Sequence, residues 1–119
     1  MIRPSNALPE VFLHRDAVDM RKGANGLAAI VQEEMGKFPG SGEVFVFCSR
    51  TRDKIKLLTW EVNGFVIWYK RLEKQRFQWP DFLNGDPIIL TGEQLNWLLD
   101  GINLNVVEKH QPISFQYVA

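Results

Sequence analysis

Residues Gly42–Pro80 read GEVFVFCSRTRDKIKLLTWEVNGFVIWYKRLEKQRFQWP, and this stretch is the most informative about the fold. It contains three runs rich in apolar and β-branched residues, Val44–Cys48, Lys54–Trp60 and Phe65–Arg71. Such runs, separated by turn residues, are typical of β-strands. A fourth short run, Arg76–Trp79, is stopped by the proline that follows it, because proline has no N–H to donate to a sheet. The stretch therefore predicts neighbouring antiparallel strands.

The dipeptide Asn63-Gly64 lies between the second and third runs. Asparagine and glycine tolerate the positive φ angles that both central residues of a type I′ turn require. This is a strong short-range signal for a β-hairpin, so we expect a tight turn centred on these two residues.

Before this stretch, Glu10–His14 is a short strand candidate. Asp19 is placed to cap a following helix. The glycines at 23 and 26 weaken its first turn, so we expect the regular part of the helix to start near Asn25. Its apolar residues recur at spacings of three and four, as expected for one face of a helix: Leu27, Ile30, Val31 and Met35. Gly36 and the segment 39–42 (PGSG) end this helix and turn the chain.

After the stretch, Thr91 and Gln94 have the spacing of a capping box at the start of a second helix. Gly101 ends that helix, and three leucines, Leu95, Leu98 and Leu99, face inward. The alternation of Ile113, Phe115 and Tyr117 predicts a terminal strand. The predicted fold class is α+β: a single domain with an antiparallel β-meander of about four to six strands and two short helices packed on it.

Composition limits the kinds of protein that this chain can be. Its 119 residues are 45% hydrophobic and 24% charged, as in one ordinary globular domain. No run approaches the roughly 20 apolar residues of a membrane-spanning helix, and the N-terminal stretch does not resemble a secretory signal. One cysteine, Cys48, excludes a disulfide framework and a zinc ribbon. We expect a cytoplasmic protein that does not contact membranes.

The formal net charge is zero, yet the charges are unevenly distributed. Segment 50–76 carries eight basic and three acidic residues, a net charge of +5 in 27 residues. Segment 1–49 has five basic against six acidic residues, and segment 77–119 has one basic against five acidic residues. Such asymmetry suggests a surface for an anionic partner, but from charge alone the solvation of exposed strand faces is the simpler explanation.

Candidate catalytic groups do not assemble into a recognisable reaction. The two histidines, His14 and His110, have no metal-ligand spacing, and Cys48 lies within an apolar run as a small hydrophobe. Asp16 and Asp19 are more readily explained by helix capping or pairing with a neighbouring arginine. No glycine-rich phosphate loop is present. We expect no catalytic residue, no metal and no cofactor.

The basic segment is interleaved with aromatic residues, a composition that suits nucleic-acid binding. Alternation places Lys54 and Lys56 on one face of their strand, whereas Lys70 and Arg71 fall on opposite faces of theirs. The cations therefore cannot all join one flat patch, and most aromatics are needed for the core. From this segment alone, an anion-binding surface and a solvated sheet remain equally open.

Two motifs resemble a known family. The first is Asp19-Met20-Arg21-Lys22-Gly23 followed by Gly26-Leu27 at the start of a helix, and the second is the block Gly42–Pro80. Their order is similar to that in the accessory protein (TnpB type) encoded by the second open reading frame of bacterial insertion sequences of the IS66 type. The resemblance covers about residues 11–101, and implies that the chain 1–119 is a single domain of this kind.

The resemblance implies a role in DNA transposition, with the transposase and the other products of the same element as partners. It assigns no catalytic residue. Exposed lysines and arginines contribute little to folding, so they are the candidates for function. We expect a non-catalytic nucleic-acid-binding factor that assists the transposase. The candidate DNA-contacting residues are Arg21, Lys22, Arg50, Arg52, Lys54, Lys56, Lys70, Arg71 and Arg76.

Two other hypotheses remain. A protein–protein adaptor would bind the transposase or its small co-encoded partner without touching DNA, through aromatic residues expected to be exposed: Trp79, Phe82 and Trp97. A metal-dependent nuclease would need clustered carboxylates drawn from Asp16, Asp19, Asp53 and Glu61. The sequence shows no such cluster.

Overall fold

The computed structural model describes residues 3–107, and these residues form a sheet with helices on both faces. The elements in chain order are β1 Val11–Leu13, α1 Ala24–Glu33, β2 Val44–Cys48, β3 Lys54–Glu61, β4 Gly64–Arg71, β5 Ile88–Leu90 and α2 Gly92–Leu99. Residues 104–107 are also helical. The predicted terminal strand at Ile113, Phe115 and Tyr117 lies outside the described residues, as does His110.

The sheet has five strands in the order β4-β3-β2-β1-β5 and is mostly antiparallel. Strands β2, β3 and β4 form the predicted meander, with Phe45 opposite Leu58 and Leu57 opposite Trp68. Strand β5 pairs with β1, also antiparallel. The predicted α+β class is confirmed.

The exception is the β1–β2 pair, which is parallel and has Val11 opposite Val44. A parallel pair needs a long crossover connection, and α1 provides it between the two strands. The sequence analysis predicted the strand at Glu10–His14 but had all strands antiparallel, and it did not identify β5, which has only three residues.

Alternation along the strands divides the core into two layers, one on each face of the sheet. On one face, Phe45, Phe47 and Leu58 pack against α1 through Leu27 and Val31. On the other face, buried strand residues pack against Leu95, Leu98 and Leu99 of α2. These strand residues are Val11, Leu13, Val46, Ile55 and Leu57. Both faces are therefore buried near the centre of the sheet.

The second helix begins as predicted. The Thr91 side chain accepts a hydrogen bond from the Gln94 N–H at 3.1 Å, and the Gln94 side chain accepts one from the Thr91 N–H at 2.9 Å. Gly101 follows the helix with φ of +83°, a conformation that glycine adopts without steric cost.

The first helix begins differently from the prediction. Its N-cap is Gly23, which has no side chain to cap the helix. Asp19 instead accepts hydrogen bonds from the backbone N–H and the guanidinium of Arg21. Asp19 therefore stabilises the loop before α1 and does not cap the helix.

Two further local predictions are wrong. The β3–β4 hairpin exists, but Glu61 pairs with Gly64, so the turn is centred on Val62 and Asn63. Of these, only Val62 has a positive φ, +49°. Segment 76–79 is not a strand; it is held by a hydrogen bond from the Phe77 N–H to the Arg52 carbonyl. No helix within residues 3–107 has the length and apolar character to cross a bilayer.

Candidate nucleic-acid interface

Three segments meet at the end of the sheet where β2 and β4 finish and β3 begins. The Val18 N–H donates to the Cys48 carbonyl at 2.9 Å, which attaches segment 15–22 to the end of β2. The Leu72 N–H donates to the Asp53 carbonyl at 2.8 Å, which attaches segment 72–77 to the β2–β3 loop. Residues far apart in sequence are thereby fixed side by side.

These segments bring together cations from three parts of the chain. We call this surface the basic end and define it by seven side chains that are exposed or half-exposed: Arg21, Lys22, Arg50, Lys54, Arg71, Lys74 and Arg76. A concavity of about 470 Å³ lies between segment 17–20 and Arg50 and Lys54. A second, of about 270 Å³, is lined by residues that include Lys74 and Arg76. The basic end is thus a grooved surface.

Strand pairing fixes two of these cations on the same face. Lys54 and Arg71 are directly opposite each other on β3 and β4, and side chains of such pairs project to the same side. Arg71 forms an exposed ion pair with Glu73 at 3.3 Å, and Lys54 forms a half-exposed one with Asp53 at 3.1 Å.

Lys56 has a structural role in addition to its charge. Its Nζ donates hydrogen bonds to the carbonyl of Met20 at 2.7 Å and to that of Lys22 at 3.0 Å. These bonds hold the loop before α1 against β3, so Lys56 positions Arg21 and Lys22. Its ammonium group also lies 6.0 Å from the centre of the Tyr69 ring.

Lys70 lies on the opposite face of the sheet from Arg71, as the alternation predicted. Its Nζ donates to the Leu99 carbonyl at 2.8 Å, at the carboxyl end of α2. A cation at that end of a helix interacts favourably with the helix dipole. Lys70 therefore joins the sheet to α2 and does not face the cations of the basic end.

Arg52 is only half-exposed, unlike a typical DNA-contacting arginine. Its guanidinium lies 5.3 Å from the centre of the Trp79 ring, and its buried Nη1 has no hydrogen-bond partner within the described residues. Burial raises the pKa of the neighbouring Cys48 thiol, and Arg52 opposes this shift only in part. Arg52 thus packs over the core at the base of the basic end.

Two carboxyl groups at the basic end have lowered pKa values. Side-chain hydrogen bonds from Arg21 lower the pKa of Asp19 from 3.8 to about 2. Hydrogen bonds from Thr51 and Lys54 lower that of Asp53 from 3.8 to about 2. Because the Arg21 side chain is 91% exposed, its pairing with Asp19 orients the guanidinium without covering it.

The neighbouring region toward β1 and β5 has a different character. Arg15 donates hydrogen bonds to the carbonyls of Asp81, Leu83 and Gly85, so its charge serves to hold loop 81–86. That loop carries the exposed carboxylates of Asp81 and Asp86. The positive charges of the basic end therefore lie on the β2–β4 side, away from these carboxylates.

The aromatic residues expected at a protein interface are in three different environments. Trp79 is only 9% exposed and belongs to the core, so the expectation that it is exposed is wrong. It is buried because the segment after β4 folds back over the sheet. Phe82 is 44% exposed, and Trp97 is half-buried against the core.

The carboxylates considered for a nuclease do not come together. Asp53 immediately precedes β3 and Glu61 is its last residue, so the two are about 26 Å apart at 3.3 Å per residue. No group of three histidine, cysteine or acidic side chains in residues 3–107 has metal-binding geometry. The buried His14 ring is hydrogen-bonded through Nδ1 to the Asp16 carbonyl at 2.8 Å and through Nε2 to the Glu34 carboxylate at 3.0 Å.

The sequence analysis missed Tyr69 and Lys74 as candidate functional residues. Tyr69 is 49% exposed and lies beside Arg71 on the same face of β4, as period-two alternation places it. It was overlooked because most aromatics in the basic segment were assigned to the core. Lys74 follows β4 in a segment without regular secondary structure, so no periodicity in the sequence indicates where its side chain points.

Comparison with known proteins agrees with the motifs in the sequence. The family model described as "IS66 Orf2 like protein" matches residues 9–109. The chain is similar to two proteins of Sinorhizobium fredii (strain NBRC 101917 / NGR234), "Uncharacterized protein y4jC" and "Uncharacterized protein y4hO". It is 30% identical to the first over 95% of this chain and 94% of that protein. It is 35% identical to the second over 84% of this chain and 86% of that protein. No solved structure matches it.

Proposed function

Because the chain belongs to the family of IS66 Orf2-like proteins and is thus a transposition accessory protein, we propose that it acts without catalysis, by binding DNA. The basic end would contact the DNA and help the transposase of the same element to act at the element ends.

The convergence of cations from three segments carries this proposal. Arg21 and Lys22 precede α1, Arg50 lies between β2 and β3, and Lys74 and Arg76 follow β4. Cations on one surface can neutralise neighbouring phosphates and release the counterions condensed on DNA. Folding alone does not require these exposed charges, since surface ion pairs contribute only about 0–1 kcal/mol each.

Fluorescence anisotropy over a salt series tests this proposal. The purified protein is titrated with a duplex of the element end and with a scrambled duplex of equal length. If six cations each neutralise one phosphate, the slope of log K against log salt concentration is about −5. Tighter binding to the element end would add sequence preference to phosphate contact. A slope near zero contradicts binding through the basic end.

Single substitutions locate the contact. Arg50→Gln and Arg76→Gln should each make the slope shallower by about 0.9, because each removes one phosphate contact. Lys37→Gln is the matched control, since it removes one positive charge from a pair with Glu43 just before β2, at the end of the sheet opposite to the basic end. If Lys37→Gln weakens binding as much as the other two, net charge and not the basic end governs affinity.

The exposed apolar side chains in segment 82–89 favour a second candidate function, an adaptor for the transposase or the small co-encoded protein. Phe82 is 44% exposed and Ile89 on β5 is 52% exposed, beside the acidic residues of loop 81–86. Exposed aromatics next to charged residues are typical of interfaces. Retention of purified transposase on the immobilised protein, lost in Phe82→Ser and kept in Arg76→Gln, would support an adaptor; no retention contradicts it.

A further inference from the structure

Tyr69 is an exposed aromatic residue beside the cations of the basic end. It lies on β4, 49% exposed, and its hydroxyl group makes no hydrogen bond to any residue from 3 to 107. Its neighbours on the same face of β4, Phe65 and Ile67, pack instead against the core layer under α1. The ring is therefore available to a ligand.

The register of β3 and β4 places cations around this ring. Lys56 is directly opposite Tyr69, with its ammonium group 6.0 Å from the ring centre. The next pair on the same face is Lys54 with Arg71. The Nζ of Lys56 also binds the carbonyls of Met20 and Lys22, which brings the loop carrying Arg21 to the same place. One aromatic ring is thus bordered by cations from three segments.

This combination suits a particular form of DNA. Cations track a phosphate backbone of either a duplex or a single strand, but a base can stack on a side chain only when its face is free. In a duplex both faces of an internal base are covered by neighbouring base pairs. An exposed ring on a sheet surface among cations is the arrangement by which single strands are bound without sequence preference.

We propose that the basic end binds single-stranded DNA, with an unpaired base stacked on Tyr69 and the adjoining phosphates contacted by Lys54, Arg71 and Arg21. This inference rests on the proposed function, because it specifies the form of DNA that the same surface takes.

The test compares a labelled oligothymidine of about 12 nucleotides with a duplex of the same length, by anisotropy at one fixed salt concentration. The wild-type protein should bind the single strand more tightly. Tyr69→Leu, which keeps an apolar side chain but removes the ring, should weaken single-strand binding about tenfold and duplex binding less than twofold. Tyr69→Phe, which keeps the ring, should bind the single strand within about twofold of wild type.

The matched control is Phe38→Leu. Phe38 is 70% exposed beside Trp60 and Phe65, at the end of β4 opposite to the basic end, so its loss should leave both affinities unchanged. Thermal unfolding of each variant verifies that it is folded. Tyr69→Leu binding the single strand as well as wild type, or losing both forms of DNA equally, would overturn the inference.

The experiment separates this inference from the proposed function. If single strand and duplex bind equally with the same salt dependence, and Tyr69→Leu changes neither affinity, the basic end is still a DNA-binding surface. In that case only the inference of base stacking on Tyr69 is overturned. If neither form of DNA binds, the proposed function fails and the single-strand inference fails with it.

Discussion

The Nζ of Lys56 lies 2.7 Å from the carbonyl oxygen of Met20, so a strand of the sheet holds the loop that precedes the first helix. Thirty-six residues separate the two in sequence. The same ammonium group reaches the Lys22 carbonyl, which leaves the side chains of Arg21 and Lys22 free to point outward. Lys56 therefore stabilises the loop that carries two of the cations of the candidate interface.

Replacing Lys56 should destabilise the fold more than replacing its neighbour on the same face. Lys56→Met removes two charge-assisted hydrogen bonds and leaves two carbonyls without their donor, at an expected cost of about 2–3 kcal/mol. Lys54→Met should cost about 1 kcal/mol, because it breaks only a half-exposed pair with Asp53 and leaves no backbone carbonyl without its donor. Urea unfolding measures both, and equal costs would contradict the positioning role of Lys56.

Lys70 and Lys74 should show opposite effects on stability and DNA binding. Lys70→Met removes the hydrogen bond to the Leu99 carbonyl, which should cost about 1–2 kcal/mol in the free energy of unfolding and leave DNA affinity unchanged. Lys74→Met should leave stability unchanged and weaken DNA binding. Weaker DNA binding in folded Lys70→Met would show that the opposite face of the sheet also contacts DNA.

Trp79 should behave as a core residue and not as an interface residue. Trp79→Ala removes a ring that is 9% exposed and lies under Arg52, so it should destabilise the protein by about 3–5 kcal/mol. Trp79→Phe keeps a ring beneath the guanidinium and should cost markedly less. Urea unfolding of both variants measures this, and a loss below about 1 kcal/mol in Trp79→Ala would contradict the buried position.

The stability that Asp53 contributes should disappear in acid. Its pKa is about 2 in the folded protein and 3.8 in the reference state, so in this range the unfolded chain binds more protons than the folded one. The contribution is therefore present above pH 3.8 and is lost as the pH falls toward 2. Urea unfolding across this range should show a smaller loss of stability in Asp53→Asn than in wild type, and identical pH profiles would contradict it.

Local patterns in the sequence predicted the elements that depend on neighbouring residues. The apolar, β-branched run Val44–Cys48 and the runs of β3 and β4 yielded the central meander, because β-strand composition and a tight turn act within a few residues. The capping box of Thr91 and Gln94 was likewise correct, since both partners lie in one helical turn. The order of motifs also led to the family that the chain belongs to.

Contacts between distant residues accounted for most of what the sequence analysis missed. Strand β5 has three residues and exists because it pairs with β1, and the parallel pairing of β1 with β2 depends on the crossover through α1. Arg76–Trp79 has strand-like composition, but the chain there is fixed by the Arg52 carbonyl instead of a neighbouring strand. The hairpin turn shifted to Val62 because the β3–β4 register pairs Glu61 with Gly64.

For the candidate interface, the order of residues shows which charges are present and that segment 50–76 is basic. Which of these charges face outward together depends on how the chain folds. It assigned Lys56 and Lys70 to backbone carbonyls on opposite faces, placed Arg52 over Trp79, and left Tyr69 exposed beside Arg71. The physical reason is that the partner of each long side chain comes from a segment remote in sequence, which no local periodicity specifies.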